Sequence, residues 1–134
     1  MKLAIVGSRA FTDVEKIKII LVKYIDQYGE ALVVVSGGAK GADRIGKDLA
    51  KRNGIPYIEF PPVHEPHNED CILPPENYGK PYKVGNYFER NTWIAEHADH
   101  VIAFVIEGVK SNGTMDTVNK ARWLGKPVFI FTQK

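Results

Sequence analysis

Cysteine is almost absent: Cys71 stands alone, which excludes an internal disulfide and leaves the fold to its core. No apolar run reaches the roughly 20 residues that a membrane-spanning helix needs, and no basic-then-apolar leader opens the chain. Neither sign of charge dominates. Lysine and arginine number 18 against 16 aspartates and glutamates, a formal net charge of +2 that is too mild for a nucleic-acid footprint. These absences lead us to expect a cytoplasmic protein, with no membrane partner and with nucleic acid disfavoured. What is present is ordinary: 44% hydrophobic and 25% charged residues in 134 positions. A chain of this size makes one domain that buries roughly two-thirds of its unfolded surface.

Apolar runs alternate with helical spacing. Leu3-Ala4-Ile5-Val6 reads as a buried strand, and Thr12 or Asp13 can cap a helix whose Val14, Ile17, Ile20, Leu21, Tyr24 and Ile25 form one stripe before Gly29. Ala31–Ser36 predicts a second strand, about Gly41–Asn53 a helix, and Tyr57–Phe60 a third strand. The second half repeats the rhythm with a helix over Asn86–His97, a strand over Val101–Ile106, a helix over Gly113–Leu124 and a strand over Val128–Phe131. The prediction is an α/β fold: a single Rossmann-like, three-layer domain over residues 1–134, with a mainly parallel five-stranded sheet and right-handed crossovers. Residues 61–85 interrupt it with six of the eight prolines. A loop of that length leaving the carboxyl end of a strand reads as an ordered excursion able to cover a ligand site.

Three stretches carry the chemistry. Ser36-Gly37-Gly38-Ala39-Lys40-Gly41-Ala42-Asp43 joins a β-branched strand to a helix. Its glycines admit a ligand close to the backbone, and the following helix start attracts an anion. The spacing is neither a Walker A loop nor the Rossmann Gly-x-Gly-x-x-Gly. Gly7-Ser8-Arg9 ends the first strand with a hydroxyl and a guanidinium, and Gly113-Thr114 opens a helix just past the fourth. Arg90 can fork onto phosphate and Asn91 can bond a ribose or base edge. Asp43 falls in a first helical turn, where a carboxylate favours the dipole and can brace the glycine turn. Glu59, about twenty residues beyond the glycines, stands where dinucleotide folds place an acceptor for ribose hydroxyls. His64, His67 and Cys71 have ligand chemistry for zinc, yet the fourth ligand is missing and a polar loop is the better reading. Trp93 and Trp123 sit among apolar residues on helices and are expected in the core.

Taken together, Gly7-Ser8-Arg9, the Ser36–Asp43 run, Arg90-Asn91, Ala98-Asp99-His100-Val101-Ile102-Ala103-Phe104 and Gly113-Thr114 resemble YspA-like members of the SLOG superfamily. That superfamily also contains DprA and the Lonely Guy phosphoribohydrolases. The resemblance implies a nucleotide or nucleotide-derived ligand, ADP-ribose-like in related domains, bound across Gly37, Gly38, Gly41, Arg90 and Gly113-Thr114, with links to sensing and to phage defence. We expect no cofactor. The hydrolase branch carries Pro-Gly-Gly-x-Gly-Thr-x-x-Glu, and in that alignment Thr117 falls at the glutamate while Asp116 is one residue early. One helical residue is a turn of about 100°, so binding ranks ahead of hydrolysis, with Asp116 and Glu89 as the candidate acids. Single-stranded DNA binding of the DprA kind stays open as a third reading, as does a homo-oligomer.

Overall fold

The computed structural model describes residues 1–134. Five strands, β1 (Lys2–Gly7), β2 (Val33–Ser36), β3 (Tyr57–Glu59), β4 (His100–Ile106) and β5 (Val128–Gln133), pair in the order β3-β2-β1-β4-β5. Every pairing is parallel. Four helices connect them: α1 (Val14–Tyr28), α2 (Ala42–Arg52), α3 (Gly85–His97) and α4 (Asn112–Trp123). The chain starts in the middle of the sheet, builds outward to β3, then crosses back to β4 on the other side of β1. That reversal puts the switch point, where ligands enter such sheets, between the carboxyl ends of β1 and β4.

Alternation along β1 divides the core in two. Leu3 and Ile5 face one way and pack with Ile17 and Leu21 of α1, Leu49 of α2, Val34 and Phe104. Ala4 and Val6 face the other way and meet Ile94, Ala95 and Ala98 at α3, and Val118 and Ala121 of α4. The second face is lined mostly by small residues, alanines and valines, under α3 and α4. Asp13 caps α1 by accepting from the Lys16 amide at 3.1 Å, and Gly29 ends the helix as its spacing predicts.

Two expectations need correction. Trp123 is 89% exposed, because α4 buries Thr114, Thr117, Val118 and Ala121 and position 123 lies on the opposite side of that frame. Trp93 does pack against the core, beside Phe60. Val14, counted in the α1 stripe, is exposed.

The 61–85 excursion is ordered and folds back on itself. The Gly79 amide donates to the Glu65 carbonyl and the Lys80 amide to that of Val63, while the Glu59 amide donates to Asp70 beside β3. It ends by laying His64 and Tyr82 on the ring of Tyr87, at the start of α3. No helix is long and apolar enough to cross a membrane.

Candidate functional site

The first anion in the glycine turn belongs to the protein. Asp43 is buried in the first turn of α2, and its Oδ2 accepts from the Gly37 amide at 3.1 Å. The Gly38 amide donates to Ser36 Oγ, and the Ala42 amide, the first of the helix, donates to the Ser8 carbonyl. Three amides of the turn and helix start, those of Gly37, Gly38 and Ala42, are therefore engaged inward. Burial pushes the Asp43 carboxyl up to about 6, although the Arg90 guanidinium and the turn amides pull it down.

Arg90 is the counterpart of that carboxylate. It is 7% exposed; its Nη1 donates to the Gly37 carbonyl at 3.0 Å and to that of Phe60 at 3.4 Å, and its Nε donates to Asn91 Oδ1 at 3.1 Å. Desolvation lowers the guanidinium below its ordinary range while Asp43 raises it. Its remaining nitrogen, Nη2, donates to no protein group. Gly37 separates the two charges: a Cβ there would meet the Arg90 guanidinium on one side and the Asp43 carboxylate on the other. Gly38 is held at φ +72° with the Glu59 carboxylate where its Cβ would stand.

Glu59 is accordingly a pillar under the turn. Lys47 Nζ and the Tyr57 hydroxyl donate to its Oε1 at 3.0 and 2.9 Å, and Asn68 Nδ2 donates to Oε2 at 2.6 Å. With both oxygens engaged and the residue buried, the expected ribose contact is not what Glu59 is built for. The Tyr57 phenol, buried and facing that carboxylate, is pushed far up and stays protonated.

At the switch point lies a cavity of about 490 Å³, the size of small-molecule sites. Gly7, Ser8 and Arg9 leave β1 along one wall, Asp43, Arg90 and Asn91 form its depth, and Gly113 and Thr114 of α4 face them. Val84, Tyr87, Phe88 and Val109 supply an apolar side. The α4 start is open: Ser111 Oγ donates to Thr114 Oγ1 rather than capping an amide, and the Asn112, Gly113 and Thr114 amides donate to no protein group. Asn91 ties the two helices, its Nδ2 donating to the Gly113 carbonyl and to Asp116 Oδ2, both at 3.2 Å. The Ser8 hydroxyl accepts from the Ala10 amide within its own turn.

Of the predicted residues, Gly7, Ser8, Arg9, Asp43, Arg90, Asn91, Gly113 and Thr114 line this cavity, whereas Gly37 and Gly38 line a smaller hollow beside it. Ser36, Gly41 and Ala42 line neither and shape the turn from behind. The candidate acids lie elsewhere. Asp116 pairs with Lys120 Nζ at 2.9 Å, one helical turn on, and Glu89 opens on a separate hollow beside Lys80 and Lys83. Thr117 lines the cavity with its hydroxyl donated to the Gly113 carbonyl, and Asp43 is the one carboxylate in the wall. His64, His67 and Cys71 assemble no ligand set: His64 Nδ1 meets Asn86, Cys71 meets Asn68, and no three His, Cys, Asp or Glu side chains converge. Sequence reasoning missed Tyr87, whose ring lies 5.6 and 5.7 Å from the Arg9 and Arg90 guanidiniums, and Lys40 and Arg44. A tyrosine three residues before an arginine on one helix was the available signal.

Comparison with known proteins gives a consistent picture. The model of the YspA, cpYpsA-related SLOG family (YAcAr) matches residues 1–67. The uncharacterized protein R261 of Acanthamoeba polyphaga mimivirus is 47% identical over 53 residues, which are 40% of this chain and 28% of that protein. The X-ray structure of the structural-genomics target TM1055 superposes with a TM-score of 0.64 at 19% identity, covering 95% of this chain and 71% of that one. DNA processing protein A (DprA) from Streptococcus pneumoniae gives 0.57 at 22% identity over 95% of this chain and 57% of that one. At such identities these two likenesses are of fold.

Proposed function

Because the chain belongs to the YspA, cpYpsA-related SLOG family, we propose that it binds a nucleotide, or a small molecule derived from one, in the switch-point cavity and acts as a sensor or carrier domain. One observation carries the reading: the cavity is amphipathic in the way a nucleotide is. Three unpartnered amides at the α4 start and the free Nη2 of Arg90 suit a phosphate. The Val84, Tyr87, Phe88 and Val109 side suits a base or sugar face. ADP-ribose-like molecules fall within this class. Turnover ranks second, since the only carboxylate in the wall is Asp43, whose carboxylate already bonds the turn. A thermal-shift panel of AMP, ADP, ADP-ribose, NAD and cyclic dinucleotides tests the proposal. Saturation at about a hundred times the dissociation constant adds about 2.7 kcal/mol, a rise of several degrees for a domain of this size. No shift with any of them at millimolar concentration refutes it.

A further inference from the structure

Beside the switch-point cavity is a second hollow of about 280 Å³, and the two share Arg9, Tyr87 and Arg90 in their walls. Its rim is made by the outer surface of the glycine turn, by Lys40 and Arg44, and by Pro62 and Glu65 from the excursion. Four cationic side chains thus face one carboxylate. Arg9, Lys40 and Arg44 have no carboxylate within 4.0 Å; the ion pairs of the molecule involve Lys47, Lys51 and Lys120. In a chain whose charges nearly cancel, with 18 basic and 16 acidic residues, gathering four of one sign at one place leaves positive charge in excess of what Glu65 in the rim and Asp43 beside Arg90 supply. A bound anion would offset it.

At about 30 Å³ for each water, the hollow of about 280 Å³ has room for a hydrated phosphoryl group. Arg90 is buried with Nη2 free, and it stands where the two spaces meet. Resting on the nucleotide-binding reading, we propose that this hollow is a second anion subsite, which takes the second phosphoryl group of a nucleotide whose first lies at the start of α4. The ligand class is then the nucleoside diphosphates and their derivatives, with Lys40 and Arg44 selecting them over monophosphates and with the Arg9 and Arg90 guanidiniums, both over the Tyr87 ring, bridging the subsites.

Titration calorimetry in metal-free buffer tests this with the mono- and diphosphates of adenosine, guanosine, cytidine and uridine, on wild type and on Lys40→Ala/Arg44→Ala. Both substituted side chains are exposed, so the variant keeps the fold, which its melting temperature verifies. The expected result is a diphosphate bound at least about tenfold tighter than its monophosphate, each tenfold being about 1.4 kcal/mol. The double variant should bring the diphosphate down to the monophosphate level and leave the monophosphate within twofold. Equal affinities for mono- and diphosphate in wild type overturn the subsite while the nucleotide reading stands. An equal loss for both ligands in the variant also overturns it, because the two cations would then act only as general charge. Absence of binding by every nucleotide sinks both readings together.

Discussion

Replacing Arg90 with alanine distinguishes a side chain built into the site from one resting on a surface. In the folded protein Nη1 bonds the Gly37 carbonyl at 3.0 Å in a buried place, and a charged hydrogen bond of that kind is worth about 1.5–3 kcal/mol. The Asp43 carboxyl, held at about 6 with the help of this guanidinium, would rise further once it is gone, and each unit costs about 1.4 kcal/mol in the ionised form. Together Arg90→Ala should lose about 3–4 kcal/mol at neutral pH, and at roughly 4 °C for each kcal/mol the melting temperature should fall by more than about 10 °C. Arg90→Lys should recover part of this, because it keeps a charge near Asp43 but cannot reach the Gly37 and Phe60 carbonyls and Asn91 together. Urea unfolding of the three proteins at pH 7.5 measures the differences. A loss under about 1 kcal/mol for the alanine variant, the range of an exposed ion pair, would refute the view of Arg90 as the keystone of the glycine turn.

Two further expectations concern the same turn. The Asp43 carboxyl is raised from 3.8 to about 6, so the folded state holds its proton more tightly than the unfolded chain, and the stability this group contributes is lost as pH rises from about 4 through 6. That loss is about 3 kcal/mol by linkage. The stability of Asp43→Asn minus that of wild type, measured by urea unfolding across pH 4–7.5, should therefore grow with pH, and a difference that stays flat defeats the assignment. Gly38→Ala should cost more than Gly54→Ala: both glycines have positive φ, but a Cβ at 38 runs into Glu59 whereas that at 54 meets open space. The shared backbone cost is about 1–2 kcal/mol, so equal losses in chemical denaturation would show that Glu59 yields freely.

Much of the architecture was legible because local and global signals agree. The Val33-Val34-Val35 run is followed at once by glycines and then by helical spacing, which leaves little choice but a parallel strand and crossover; the glycine stop and aspartate cap of α1 fall where turn chemistry puts them. Trp123 was illegible because burial on α4 depends on which of several overlapping frames meets the sheet, and Val118 and Ala121 outweigh a large residue two places on. The candidate site was legible as a set of segments and not as a wiring. Arg90 and Asn91 were readable as candidate ligand contacts, yet their protein partners, Gly37, Phe60, Gly113 and Asp116, lie 22 to 53 residues away along the chain. Likewise Glu59 has the residue type and spacing of a ribose acceptor, and only the arrival of Lys47, Tyr57 and Asn68 reveals it as a support.

The carboxylate of Asp43 inside the glycine turn has a consequence for how any ligand arrives. A loop whose amides await an incoming phosphate is ordered by that phosphate, and part of the binding energy goes into freezing the loop. Here the negative charge comes from α2 itself, and the amides of Gly37 and Gly38 are satisfied beforehand. Those two amides are bonded on folding, without a ligand to order them. On the proposed reading, association then needs no rearrangement of the Gly37 and Gly38 amides, and a bound nucleotide would act through what it touches at α4 and the excursion, with the glycine turn serving as the fixed floor.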